Sequence, residues 1–544
     1  MTRDPRHTNS FGTYKSARTA LSNGDAYLGI ELGSTRIKSC AILENGTTIG
    51  TGIHDWESHL VDGHWSYDLD EIWTGVAASY ADLADSFAEN YDVVPTAFRG
   101  IGISAMMHGY LAFDSAGRQL VPFRTWRDTT TGQAAEELTD LLETNIPLRW
   151  SIAHLRQATI NGEDHLEHLA FLTTLSGYIH WQLTGRKVLG IGDASGMFPT
   201  DSTTGDYDEQ LIQRFNDAYS DDVPSGDLRA ILPTCLPAGE DAGRLTEAGA
   251  RLLDPSGRLQ PGARLCPPEG DAGTGMVATN AVRPTTGNVS VGTSVFAMVV
   301  LDKKLPAVHR EIDLVATPAG DDVAMVHCNN GSSELSQWIG LFAQVAGAFG
   351  TRSHIDLNEA YSIILTEALS GSEDAGQLLS FNNTLGEPVM GLDKGRPLIV
   401  RTADSHLSLS NFMRSQVYGI FAPLVTGLDI LRENHVRLEV LRAHGGLFKT
   451  AGVAQRFLAA ATKTPVVVPE EASEGGAWGI ALLAAFAGSR DCETLADFLD
   501  QRIFSCSEMT RSDPKPSEVA GYEKFLSLYK QAVDVQAAAG RSIP

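Results

Sequence analysis

Positive charge is scarce in this chain of 544 residues: 42 Lys and Arg stand against 67 Asp and Glu, a formal net charge of −25. A duplex nucleic-acid binder needs a basic face to neutralise phosphates. No dense Lys/Arg run is present, so nucleic acid and anionic membrane surfaces are excluded as expected partners. Cysteine is sparse too. The six are scattered, and no two are close enough for a zinc pair or a redox CxxC. Free or buried thiols in a reducing cytoplasm are expected. No apolar run approaches the ~20 residues of a spanning helix, and residues 1–25 are polar with no apolar h-region, which predicts a disordered tail rather than a signal peptide. The commonest phosphate and hydrolase signatures are also missing. There is no Gly-Lys dipeptide and hence no Walker A, no GxGxxG after a strand, and no HExxH or GxSxG. P-loop NTPases, Rossmann dehydrogenases, zincins and common serine hydrolases are disfavoured by the residues themselves.

What is present is an ordinary globular composition, 43% hydrophobic and 20% charged. Tyr27–Leu32 is apolar, Gly33-Ser34-Thr35 is a turn, and Ile37–Leu43 is apolar again, which predicts a β-hairpin. Half a chain later the pattern returns as Asn288–Val291, Gly292-Thr293-Ser294 and Val295–Val300. Two such openings read as an internal duplication, with a boundary near Val282–Thr286. The expected organisation is a tail over 1–25, a first domain over 26–284 and a second over 285–544. Between the hairpins, helical spacing at Leu69–Phe87 is followed by a strand-like Phe98–Ser104, and His165–Leu183 reads as one long helix closed by Gly185. In the second half Gln416–Arg432 and Gly476–Phe486 read as helices, and Leu438–Ala443 and Val466–Val468 as strands. Alternation in both halves predicts an α/β fold.

Each Gly-hydroxyl turn offers backbone N–H groups and two hydroxyls that can cradle a phosphate. One such turn is commonplace; two, each opening its half, suggest a pair acting on one nucleotide. Glu31 lies in an otherwise apolar strand, where a carboxylate is costly without a partner. Mg²⁺ held through water would suit it, and an exposed edge position is the plainer alternative. Asp271 falls in the Gly-rich Glu269-Gly270-Asp271-Ala272-Gly273, before a small-residue helix expected over Met276–Ala281. Phosphoryl transfer needs a carboxylate to take the proton of the attacking hydroxyl, although an Asp capping a helix is very common. His165 and His168, one helical turn apart, fit a solvated helix face better than a metal site.

In this order the motifs resemble the FGGY family of carbohydrate kinases, the xylulose kinases among them most closely, from about Tyr27 to Ser527. Leu28–Lys38 is similar to the family's opening phosphate hairpin, Met107-His108-Gly109 to its sugar segment, and Trp126-Arg127-Asp128 to its Trp-x-Asp. Asp193-Ala194-Ser195-Gly196 resembles a stretch of the first domain, and Gly270-Asp271 the position of the catalytic base. Gly292-Thr293-Ser294 is similar to the second phosphate segment, and Gly386-Glu387-Pro388 to a variant of the family's Gly-Glu-Arg. Gly445-Gly446 and Glu474–Gly479 resemble the adenosine segment.

The resemblance implies a duplicated, actin/hexokinase-like (RNase H-like) two-domain fold with an interdomain cleft, sugar mostly on the first domain and ATP·Mg mostly on the second. It assigns Asp271 as base, and Met107, His108, Gly109, Trp126 and Asp128 to the sugar. It assigns Gly33, Ser34, Thr35, Lys38, Gly292, Thr293, Ser294, Gly445, Gly446 and Gly475 to the nucleotide, and Glu31 and Asp271 to Mg²⁺. The implied activity is ATP-dependent phosphorylation of a small ketose, a pentulose such as xylulose. A kinase of another sugar or polyol such as ribulose or glycerol, and a non-catalytic nucleotide or sugar sensor, are the alternatives. An actin-like filament ATPase would leave Met107-His108-Gly109 unexplained. Three departures matter: Glu31 replaces the usual Asp, Ala272 stands where xylulose kinases often have Asn, and Pro388 replaces the Arg. The oligomeric state is left open, with a homodimer as one alternative.

Overall fold

A computed structural model describes residues 10–350, 356–469, 475–489, 492–505 and 509–543. Residues 1–9 of the expected tail, and Glu474, lie outside the described residues. The chain divides into two compact units. Unit 1 runs to Val282 and takes in Leu314–Asp322 and Glu474–Cys506; unit 2 comprises Arg283–Asp313, Val323–Ser473 and Ser507–Pro544. The division thus falls beside Pro284, but two pieces of the second half belong with the first unit.

Unit 1 is built on strands β1 (Tyr27–Leu32), β2 (Arg36–Ile42), β3 (Thr48–Asp55), β4 (Gly100–Ala105), β5 (Arg264–Leu265) and β6 (Glu269–Gly270), in the sheet order β5-β4-β1-β2-β3 with β6 also pairing β4. β1 and β2 form the expected hairpin, Glu31 lying opposite Lys38, and β4 runs parallel to β1. Glu31 is therefore on an interior strand, not at an edge.

Helix α1 (Ser10–Asn23) corrects the expectation of a disordered tail: Ala17 and Leu21, one helical turn apart, are fully buried in the unit 1 core. The Tyr14 ring meets Tyr91 at 5.7 Å, while Lys15 and Arg18 stay exposed. Helix α2 (Leu69–Tyr91) is capped by Asp68, whose carboxylate accepts the Asp70 and Glu71 N–H groups, and it buries Ile72, Val76, Leu83 and Phe87 along one face. The expected long helix over His165–Leu183 is instead a 3₁₀ turn (Asp164–His168), a strand (Phe171–Thr173) and a helix (Leu175–Thr184). Thr174 accepts the Gly177 N–H and starts that helix afresh. His165 is not on a solvated face. It is buried, with Nε2 2.8 Å from the Tyr110 hydroxyl and Nδ1 3.3 Å from Glu163. Helices α3 (Ser151–Asn161) and α4 (Asp271–Ala278) complete the part of the unit that matters below, and Asp271 is the first residue of α4 rather than part of a preceding turn.

Unit 2 contains β7 (Thr286–Val291), β8 (Val295–Val300), β9 (Asp322–Cys328), β10 (Val440–His444), β11 (Val466–Pro469) and β12 (Met509–Ser512), neighbouring in the order β9-β8-β7-β10-β11-β12. The repeat foreseen from the two hairpins extends beyond them. In each unit an antiparallel three-strand meander (β1-β2-β3, β7-β8-β9) is joined at its first strand by a parallel partner (β4, β10). Helices α5 (Ser333–Ala348) and α6 (Leu409–Glu433) belong to this unit.

The last helix needed is α7 (Gly475–Gly488), which returns to unit 1 and lies on β1 and β4. Glycines alternating with isoleucines in Leu28-Gly29-Ile30 and Gly100-Ile101-Gly102-Ile103 make this possible. A Cβ on Gly29 would stand 2.1 Å from the Ala477 carbonyl, and one on Gly102 2.6 Å from the Ile480 carbonyl. The isoleucines on the other face are fully buried.

Candidate active site

The chemistry-bearing residues of each unit collect at the carboxyl ends of its parallel strands, the end at which open α/β sheets carry ligands. In unit 1, β1 ends in Glu31 and the Gly33-Ser34-Thr35 turn, β4 in Met107-His108-Gly109, and β6 in Asp271. Asp271 has an accessible side chain. Its Oδ1 accepts the Met107 N–H at 3.1 Å and its own Ala272 N–H at 3.0 Å; among the described residues Oδ2 accepts none. Loss of hydration in these surroundings raises the carboxyl above the ordinary aspartate value, and the Met107 and Ala272 N–H groups restrain the rise. Asp271 and Met107 are thus in direct contact.

Met107 and His108 are buried. His108 and Gly109 take left-handed backbone, at φ 71° and 100°; a Cβ on Gly109 would meet the Arg124 carbonyl at 2.7 Å. The His108 ring lies over Trp150 at 6.4 Å and its Nδ1 is 3.3 Å from the Gly196 carbonyl. Asp193–Gly196 packs on this turn: a Cβ on Gly196 would meet the His108 ring at 2.6 Å and the Met107 methyl at 2.8 Å. Asp193 is fully buried, accepting the Thr174 and Ser176 hydroxyls. Its backbone N–H donates to Glu269 at 2.9 Å. Burial raises Asp193 to about 7 and Glu269 well above the ordinary value.

Trp126 donates from Nε1 to Ser34 Oγ at 3.2 Å, tying the Trp-x-Asp segment to the first Gly-hydroxyl turn. Trp56 donates to the Gly33 carbonyl and Tyr67 to the Ser34 carbonyl, at 2.8 and 2.6 Å, while Thr35 is exposed. Asp128 is buried. Oδ1 accepts the N–H and hydroxyl of Thr130, and Oδ2 pairs with His64 Nδ1. Burial would push its carboxyl up, but those Thr130 bonds and the neighbouring His154 and His64 outweigh it, and the group stays below the ordinary value. Its oxygens face protein groups, and the half-buried His64 is what it holds.

Glu31 is half-buried and accepts the Ala477 N–H at 3.2 Å, so it caps the amino end of α7. A Cβ on Gly476 would stand 2.3 Å from its Oε1. Burial, then the charge of Asp271, raise Glu31 to about 7; Lys38 and the α7 N–H groups oppose this. Gly475 thus stands in unit 1 beside Glu31, with Gly33, Ser34, Thr35 and Lys38, and not in unit 2 with Gly292–Ser294 and Gly445–Gly446. Among the described residues, no three His, Cys, Asp or Glu are arranged to enclose a metal ion. Mg²⁺ that keeps its waters and binds phosphate oxygens needs only one or two carboxylates, and Glu31 with Asp271, electrostatically coupled, fits that requirement.

In unit 2 the two expected phosphate segments are brought together. Ser290 pairs with His444, and Gly445, at φ 107°, presses on the Val291 carbonyl, where a Cβ would come within 2.3 Å. Gly292, Thr293, Gly445 and Gly446 are exposed and Ser294 is half-buried. Glu387 is buried and accepts Asn329 N–H and Asn330 Nδ2–H at 3.4 and 3.0 Å; burial raises it to about 7 against those bonds.

Two family models match the chain: the N-terminal domain of the FGGY family of carbohydrate kinases over residues 26–254 and the C-terminal domain over 287–488. The chain belongs to the FGGY family of carbohydrate kinases. It is accordingly a phosphotransferase with an alcohol group as acceptor, on the family's two-domain actin/hexokinase-like fold. A xylulose kinase of Haemophilus influenzae is 23% identical over 519 residues, covering 92% of this chain and 98% of that one. A ligand-bound xylulose kinase of Lactobacillus acidophilus superposes with a TM-score of 0.76 at 17% identity, covering 96% of this chain and 100% of that one. A structure described as a gluconate kinase from the same organism gives the same figures. No helix among the described residues is long and apolar enough to cross a membrane.

Sequence reasoning passed over His64, Glu269, and the Asn329–Ser332 segment that meets Glu387. His64 carries no motif of its own; its pairing with Asp128 spans 64 positions.

Proposed function

We propose that this FGGY kinase transfers the γ-phosphoryl group of ATP to a terminal hydroxyl of a small ketose, a pentulose such as xylulose, with Asp271 as general base. The observation that carries the reading is the Asp271 carboxylate: accessible, held through Oδ1 by the Met107 N–H, with Oδ2 left for a substrate proton. Its raised proton affinity makes it a better base near neutrality. The hydroxyl gives its proton to Asp271. Its oxygen forms a bond to the γ-phosphorus, and the bond from that phosphorus to the bridging oxygen of ADP breaks. Mg²⁺, when bound, neutralises phosphate charge, and Glu31 and Asp271 are the carboxylates assigned to it.

Met107, His108, Gly109 and Trp126 orient the sugar. Asp128 acts on it by holding His64 in place. In unit 1, Gly33–Thr35 and Lys38, and in unit 2, Gly292–Ser294 and Gly445–Gly446, are assigned to the phosphates. Ala272 offers no side-chain hydrogen bond, so one sugar hydroxyl is read loosely. The equal likeness to a structure described as a gluconate kinase keeps other sugars as the second reading. An ATP-consumption screen over ketoses, polyols, aldonates and a no-sugar control tests the proposal. Xylulose-dependent turnover is expected; turnover confined to an aldonate or polyol would overturn the ketose assignment.

A further inference from the structure

The second Gly-hydroxyl turn does not stand by itself. The residues after β9 cross directly beneath it. Gly331 donates its N–H to the Thr293 carbonyl at 2.7 Å, and Ser332 donates both its N–H and its hydroxyl to the Gly292 carbonyl at 2.8 and 2.9 Å. Gly331 is the one residue type that fits this crossing. A Cβ there would stand 2.3 Å from the Gly292 carbonyl oxygen and 2.9 Å from those of Thr293 and Ser294, all backbone atoms that cannot swing aside.

The other end of the same four-residue strap is anchored in the interior. The Asn329 amide donates to the Gly386 carbonyl at 2.9 Å. Asn330 is buried; its Oδ1 accepts the Thr384 and Leu385 N–H groups, both at 2.9 Å, and its Nδ2 donates to Glu387 Oε2. Glu387 Oε1 accepts the Asn329 N–H. A buried carboxylate is retained at a cost unless its bonds do something, and both oxygens here hold the strap.

We propose that Glu387 is a positioning residue for the nucleotide phosphates, acting through the strap Asn329-Asn330-Gly331-Ser332 to fix the Gly292-Thr293-Ser294 turn. The strap consumes the Gly292 and Thr293 carbonyls, and the Gly292 N–H donates within the turn to the Ser294 carbonyl at 2.9 Å, so the turn presents the N–H groups and hydroxyls of Thr293 and Ser294 rather than carbonyl oxygens to an anion. This rests on the assignment of that turn to ATP. It also gives Gly386-Glu387-Pro388 a role that does not depend on the Arg its third position lacks.

The test compares Ser332→Ala, Gly331→Ala, Glu387→Gln and Glu387→Ala in the full chain. It measures ADP affinity by calorimetry, KM for ATP and for the sugar, and melting temperature. Ser332→Ala removes one bond to the turn and leaves the core intact. It should weaken ADP binding roughly three- to tenfold, the worth of one hydrogen bond, with the sugar KM within about twofold. Gly331→Ala and Glu387→Ala should exceed tenfold, and Glu387→Gln, which keeps one acceptor oxygen, should fall between the parent and Glu387→Ala. Unchanged ADP affinity and ATP KM in Ser332→Ala and in folded Glu387→Ala would overturn the inference. A parent that binds no ADP would instead overturn the nucleotide assignment on which it rests.

Discussion

Glu31 concentrates the electrostatics of unit 1 in one side chain. It faces Lys38 across the hairpin, caps α7 and feels the charge of Asp271. Its folded-state carboxyl titrates at about 7 against an ordinary 4.5. The folded chain therefore holds this proton more tightly than the unfolded chain. The resulting stability is fully present below about 4.5 and is lost as pH rises through about 7. In EDTA, Glu31→Gln should lose less melting temperature than the parent between pH 5 and pH 8, since its side chain no longer ionises. An equal or steeper loss in the variant would show that Glu31 is not held as described. The sequence marked Glu31 as a carboxylate that needs a partner. It could not name that partner, because the Ala477 N–H lies 446 positions away.

At the scale of elements, the alternation of glycine with isoleucine in β1 and β4 is the feature that seats α7. Gly29→Ala places a methyl group 2.1 Å from a helix carbonyl and should cost about 3 kcal/mol or more by forcing α7 off the sheet. Gly340 in α5 has nothing within 4 Å of a Cβ, so Gly340→Ala should stabilise by about 0.5–1 kcal/mol through lost backbone freedom in the unfolded chain. Urea unfolding of the two variants checks both signs together. The hairpins were legible because apolar runs flank a Gly-hydroxyl turn at each, and α2 because its apolar spacing is regular. The helix start at Thr174 was not. Leu166, Leu169 and Leu172 before it run into Leu175 and Ile179 at helical spacing, and the strand Phe171–Thr173 is fixed by pairing with Leu111–Phe113. The α1 helix was hidden for the opposite reason: Ala17 and Leu21, the buried residues among those described there, are too few to set a pattern among polar neighbours.

For the whole molecule, the duplication could be read from two short turns because each opens a meander of the same topology. The assignment of Glu474–Cys506 to unit 1 could not, since the contacts that anchor α7 are tertiary and lie in β1, β2, β4 and α4. The same limit applies to the substrate. Motif order leads to the carbohydrate kinases, whereas the proposed sugar site involves side chains such as Ala272 and His64 whose neighbours come from distant segments. With no hydrogen-bonding group at Ala272, activity should extend over more than one ketose, xylulose included, because a site discriminates strongly only against groups it binds. Values of kcat/KM for xylulose, ribulose and their enantiomers within about a hundredfold of one another are expected; strong activity on ribulose or glycerol with none on xylulose would contradict it.

The central claim, that Asp271 takes the substrate proton, is tested most directly by Asp271→Asn. Turnover at saturating ATP and xylulose is measured beside ADP affinity and melting temperature. The amide keeps the shape and the Met107 contact but is not a base, so kcat should fall by about 10²–10⁴, while ADP affinity stays within about threefold and the fold is retained. Turnover within tenfold of the parent would contradict the assignment of Asp271 as the base.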